Sequence, residues 1–180
     1  MRQEQEQLNV TANKLVSELV SGAVKLHQAR VQTQIDNIPN YKLGKENIAG
    51  CQLVLDREEL LKRLPSGGVV AELGVDQGGF SAAILEHNAP SQLHLVDIWG
   101  DARYHEGKAQ GVFAKFSEEL EIGKVAITRA LSLDAVDAFA DETFDWIYID
   151  TDHSYATTIA ELRAWAPKVK ANGFIAGHDY

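Results

Sequence analysis

From residue 69 onward the chain alternates short apolar runs with helix-like stretches. The segments "VVAELGV" (69–75), "QLHLVDIW" (92–99), "KVAITRA" (124–130), "FDWIYID" (144–150) and "GFIAGHD" (173–179) have the length and the β-branched or aromatic content of strands. The run 144–150 shows little alternation, which predicts a strand buried on both faces. Between the strands the pattern predicts helices over 78–88, 102–121 (frayed or broken near Gly107 and Gly111), 132–140 and 155–170. The last of these has Ser154 or Asp152 as its cap and Pro167 in its final turns. Strand followed by helix through five strands predicts a parallel sheet covered on both faces. Right-handed crossovers then restrict its topology.

The part before residue 69 has a different rhythm. Residues 3–34 lack proline, and Leu8, Ala12, Leu15, Leu19, Gly22, Leu26 and Ala29 recur at spacings of four and three. That predicts one long helix with a narrow apolar seam, thinned by Ala and Gly. The seam suits an appendage packed on its own domain, a dimer arm, or a cover over a site. Pro39 and Gly44 mark a loop, and Asp56 with Glu59 three residues on resembles a capping box for a helix over 57–64 that stops at Pro65. The expected division is an N-terminal helical extension, 1–45, and an α/β domain, 46–180.

Composition narrows the function classes. The 180 residues carry a net charge of −9, which argues against a nucleic-acid backbone or an anionic membrane as partner. No run approaches the ~20 apolar residues of a membrane span, and the N-terminus lacks a signal-peptide core. The single cysteine, Cys51, excludes an intrachain disulfide and reads as a buried small hydrophobe. A reducing, cytoplasmic setting is the expectation.

In doubly wound sheets ligands bind beyond the carboxyl ends of the strands, so the residues after each apolar run carry the chemistry. Strand one ends in "ELGVDQGGFS" (72–81). Gly74 permits a tight turn, and Gly78-Gly79 open the next helix with free amide donors. The dinucleotide fingerprint is absent, because Asp76 stands where its second glycine belongs. The acids Glu72 and Asp76 would repel a pyrophosphate and tolerate an amino group. Strand two ends at Asp97, 23 residues after Gly74, where an acid can accept from a ribose diol. Trp99 is a candidate base-stacking ring or a packing residue. Strand four ends in "IDTDHSY", with Asp150, Asp152 and His153 in four positions.

These strand ends, in order, resemble the class I S-adenosylmethionine (SAM)-dependent methyltransferases. "IDTDHSY" and "GFIAGHDY" resemble the subgroup related to metal-dependent sugar O-methyltransferases of macrolide and aminocoumarin biosynthesis. The resemblance covers residues 56–180 and implies a Rossmann-like doubly wound sheet of five parallel strands in the order 3-2-1-4-5. It implies SAM as cofactor, with Glu72, Gly74 and Gly78 shaping the methionine pocket, Asp97 holding the ribose, and Ser132 near the adenine. It also implies Asp150 and Asp179 as metal ligands, with Mg²⁺ or another divalent cation as second cofactor. Family members continue with a helix and a terminal antiparallel β-hairpin. The sequence stops at Tyr180 after strand five, so the expectation is a shortened form of a longer protein, the alternative being that another chain covers the open sheet edge.

The residues support the metal independently. Neighbouring parallel strands lie ~4.8 Å apart, so adjacent fourth and fifth strands would place Asp150 beside Asp179. Two carboxylates that close need a cation or a proton between them. His178 or Asp152 would complete the set, and a histidine shifts the preference toward a transition metal. Asp150 and His153 are the candidate proton acceptors. The plainer readings are that Asp152 caps a helix, and that His153 and His178 are ordinary loop and strand-end residues. His27, His87, His94 and His105 have no constellation around them. The expected activity is methyl transfer to the hydroxyl of a small molecule or sugar, with a nitrogen acceptor open. The expected partners are the acceptor and a second copy through the N-terminal helix. A non-catalytic SAM-binding domain and an NAD(P)-dependent oxidoreductase are the alternatives.

Overall fold

The computed structural model describes residues 2–39, 42–100 and 103–178, with side chains from residue 13 on, apart from that of residue 34. The expected ligand Asp179 lies outside the described residues. Two compact units are present, Met1–Cys51 and Gln52–Tyr180. The first contains α1 (Arg2–Asp36) and the short α2 (Lys45–Ile48). Every described side chain of α1 is exposed, and so is Cys51, which corrects its reading as a buried hydrophobe. Among the described residues no helix is long and apolar enough to cross a membrane.

The second unit runs α3 (Arg57–Leu61), β1 (Val69–Leu73), α4 (Gly79–His87), β2 (Gln92–Asp97), α5 (Glu106–Lys115), α6 (Ser117–Glu121), β3 (Val125–Arg129), α7 (Ser132–Ala135), β4 (Phe144–Ile149), α8 (Tyr155–Trp165) and β5 (Val169–Gly177). The strands form one parallel sheet in the order β3-β2-β1-β4-β5, as the resemblance implied. The strand pleat sends alternate side chains to opposite faces, and two cores result. Val70, Leu93, Leu95, Trp146 and Tyr148 meet Ile84 of α4 and Val112 of α5 on one face. Ala71, Leu73, Val96, Ile147 and Ile149 meet Trp165 of α8 and Val136 on the other. Helices therefore change faces where β1 lies beside β4, and the gap beyond those two strands is the switch point at which such sheets bind ligands.

Several boundaries differ from the sequence pattern. The helix expected over 102–121 is interrupted at Phe116 (φ −109°, ψ 25°), while Gly107 and Gly111 lie within α5. The helix expected over 57–64 ends at Leu61. Asp56 caps it by accepting from the Glu59 amide at 2.9 Å, but the Glu59 carboxylate pairs with Lys62 at 2.6 Å, so only half of the capping box forms. β5 starts at Val169, four residues before the expected start, because Val169 already pairs with Phe144; a register shift between Phe144 and Trp146 then carries the stretch 170–173 as an irregularity before Phe174 pairs with Trp146. The end of α3 is pinned by buried Asn88, whose Nδ2 donates to the carbonyls of Leu61 (2.9 Å), Leu64 (3.2 Å) and Pro65 (3.2 Å). That anchor holds the α3 N-terminus, and Arg57 with it, toward the sheet.

Candidate active site

At the switch point β1 and β4 come into backbone contact. Gly74 has φ +87°, and a Cβ there would lie 1.9 Å from the Asp150 carbonyl oxygen. Gly78, at φ +67°, leaves no room either, since a Cβ would meet the Phe116 ring at 2.7 Å. Glycine at these two positions is what brings the loop after β1 against β4 and α5. Lys115 of α5 donates to the Gly78 carbonyl at 3.0 Å, and Lys108 pairs with the Asp76 carboxylate.

Asp97 organises the same loop from β2. Its Oδ2 accepts from the amides of Val75 (2.8 Å) and Asp76 (3.0 Å), and its Oδ1 from the amide of Trp99 (2.9 Å). Trp99 is 1% exposed and belongs to the core, with its indole N–H donated to the Asp76 carbonyl at 2.8 Å. Packing thus accounts for the ring. A backbone φ of +44° turns the chain there.

The end of β4 gathers a second group. His153 Nε2 lies 3.3 Å and His178 Nδ1 3.6 Å from Asp150 Oδ1, and the two imidazole centroids are 6.0 Å apart. One ligand atom from each of the three residues can be chosen so that all lie within 4.8 Å of one another. The structure thus brings together Asp150 and His178, read as ligands, with His153, read as a proton acceptor. Asp152 is elsewhere engaged: it accepts from the Ser154 amide and the Thr157 hydroxyl, both at 2.9 Å, and Ser154 caps α8. The opposite oxygen of Asp150 faces Arg57 at 3.8 Å, and that guanidinium stacks 4.5 Å from the Phe80 centroid.

The sequence matches the family described as a methyltransferase domain over residues 71–180. The chain belongs to this methyltransferase family. Its sheet is that of the class I SAM-dependent enzymes, and solved structures agree on the fold. An rRNA methylase from Streptococcus thermophilus has a TM-score of 0.52 at 11% identity, over 68% of this chain and 69% of its own. A Corynebacterium glutamicum protein gives 0.51 at 16% identity, over 83% and 74%. A geranyl diphosphate methyltransferase solved with SAM gives 0.52 at 12% identity, over 67% of this chain but 48% of its own. No curated protein matches.

Within this methyltransferase fold Glu72 is one of two buried acids among the described residues. It is 1% exposed, on the α4 face of β1, and accepts from the Ser81 hydroxyl at 2.5 Å. Burial pushes its carboxyl up to about 8, helped by the Asp150 charge and opposed by the Ser81 hydrogen bond. A carboxyl with a raised folded pKa holds more protons folded than unfolded, so its contribution falls as pH rises between the two values. In the ligand-free protein Glu72→Gln should therefore melt several degrees above wild type at pH 8. The difference should shrink toward pH 4.5, and differential scanning calorimetry at both pH values checks this.

Ser132, placed near the adenine by the resemblance, starts α7 after β3. Its hydroxyl donates to Glu161, a carboxylate 0% exposed on α8, and its carbonyl accepts from the Trp165 indole at 3.2 Å. Thr151, next to Asp150, donates to the other Glu161 oxygen at 2.8 Å. Burial raises the Glu161 pKa against these two hydrogen bonds. Glu161 thus ties the loop after β3 to the loop after β4. Sequence reasoning missed it and Arg57. The other described histidines of this unit sit in structural settings: His94 is edge-on to Phe139 and Phe144, His105 caps α5, and His87 faces Glu58.

Proposed function

We propose that this methyltransferase moves the SAM methyl group to a hydroxyl of a small molecule, a sugar among the expected acceptors, seated against Asp150, His153 and His178. The observation that carries the reading is the convergence of those three side chains on the rim where Gly74 meets Asp150. Glu72, Gly74 and Gly78 then border the methionine end of SAM and Asp97 the ribose. Ser132 lies on the adenine side, and Trp99 serves as a buried floor.

Methyl transfer is an in-line displacement at a sulfonium carbon: the acceptor oxygen bonds the methyl, the carbon–sulfur bond breaks, and the hydroxyl proton must leave. Alignment supplies much of the acceleration. His153 can take the proton, with Asp150 orienting the imidazole and offsetting the charge it gains. The same three side chains fit a divalent cation, and one carboxylate with two imidazoles suits a transition-type ion better than Mg²⁺. Such an ion would polarise the acceptor hydroxyl and lower its pKa. Arg57 holds the other Asp150 oxygen, leaving the histidine-facing oxygen for this role.

Calorimetric titration with SAM and NAD, followed by an S-adenosylhomocysteine release assay on hydroxyl acceptors with Mn²⁺ or with chelator, tests the proposal. The expected result is SAM binding without NAD binding, and turnover on a hydroxyl. NAD binding alone would return the oxidoreductase reading. SAM binding with no transfer to any hydroxyl would leave a non-catalytic binding domain.

A further inference from the structure

The α1 helix carries an apolar seam that is exposed. Leu15, Leu19 and Leu26 are 55%, 72% and 59% exposed, and Val16 is 58% exposed. A lone amphipathic helix in water is marginal unless a partner covers its apolar face. The four-three spacing of Leu15, Leu19, Gly22, Leu26 and Ala29 puts Leu19 and Leu26 at a positions and Leu15, Gly22 and Ala29 at d positions of a heptad. The residues flanking that seam are Glu18 and Lys25 on one side and Val16, Ala23 and Arg30 on the other.

We infer that α1 pairs with α1 of a second copy in an antiparallel coiled coil centred between Leu19 and Gly22. Charge and size complementarity choose both the occupant and its direction. In the antiparallel register Leu19 of each copy fills the notch over Gly22 of the other, and Leu15 meets Leu26. Glu18 then faces Lys25 across the seam twice, by symmetry, while Val16 meets Ala23. A parallel pair would set Gly22 against Gly22 and bring Lys25 of one copy toward Arg30 of the other, a like-charge contact. The assembly is isologous and closed, so it stops at a dimer. The inference rests on α1 alone and stands whether or not the proposed hydroxyl acceptor is correct.

Sedimentation equilibrium on the full chain tests it. The wild type should be a dimer at tens of micromolar. Lys25→Glu and Glu18→Lys should each weaken it about tenfold, from two lost pairs and two new like-charge contacts, and the double exchange should restore it. Leu19→Lys should give a monomer. All three substituted positions are exposed, and circular dichroism checks folding. A monomeric wild type overturns the inference. A Lys25→Glu protein that dimerises more tightly overturns the antiparallel register, since only a parallel pair gains from removing Lys25 from Arg30.

Discussion

Asp150→Asn should lower kcat/KM for methyl transfer by about two to three orders of magnitude, the range expected when a positioned acid–base pair is lost, while SAM affinity stays within a few-fold. The substitution keeps the shape and removes the charge. That charge faces His153 at 3.3 Å, His178 at 3.6 Å and Arg57 at 3.8 Å, so one carboxylate serves every group at this corner. Its backbone role is untouched: the Asp150 amide still donates to the Leu73 carbonyl at 2.8 Å. The neutral amide cannot stabilise an imidazolium at His153, and it is a poor ligand for a divalent ion. Release assays and calorimetry on the same preparation separate the two effects. Retention of a tenth or more of the wild-type rate would remove Asp150 from the reaction.

The largest stability effect is expected at Gly74. Gly74→Ala adds a methyl group 1.9 Å from a main-chain carbonyl, at φ +87°. Neither partner can rotate away, because both are backbone. Left-handed strain costs about 1–2 kcal/mol and overpacking about 1–3 kcal/mol more, against a total stability of roughly 5–15 kcal/mol. The melting temperature should fall by on the order of 10 °C or more. Gly79→Ala is the matched control: the added methyl group would have no heavy atom within 4 Å and the residue is helical, so its melting temperature should hold or rise slightly. Equal losses in the two variants would show that the β1–β4 contact is not what requires glycine.

The sheet was legible because each strand is a short apolar run that ends in a polar residue. Topology followed from the strand–helix alternation and the resemblance. The start of β5 was not legible, since Lys170-Ala171-Asn172-Gly173 looks like a turn, and the pairing of Val169 with Phe144 ahead of it is visible only across the register shift that skips those four residues. The corner at Asp150 was visible as a carboxylate ending a buried run, but which histidines join it depends on loop conformation, including φ +58° at His153. Two signals were present and unused. Arg57 stands in the first turn of a helix, where the dipole disfavours a cation; its partner is a carboxylate across the sheet edge. Glu161 lies four residues before Trp165, on the face of α8 that packs inward, where a charged residue calls for partners.

With the ribose placed at Asp97 as proposed, the three amides that this carboxylate holds bear on how quickly a nucleoside can settle. A carboxylate offers about four lone-pair sites, and Val75, Asp76 and Trp99 occupy three. One ribose hydroxyl can dock without disturbance, but a grip on both must first release a main-chain donor. Association would then proceed in two stages, a fast encounter and a slower, concentration-independent relaxation, and stopped-flow traces would saturate instead of rising linearly with nucleoside concentration.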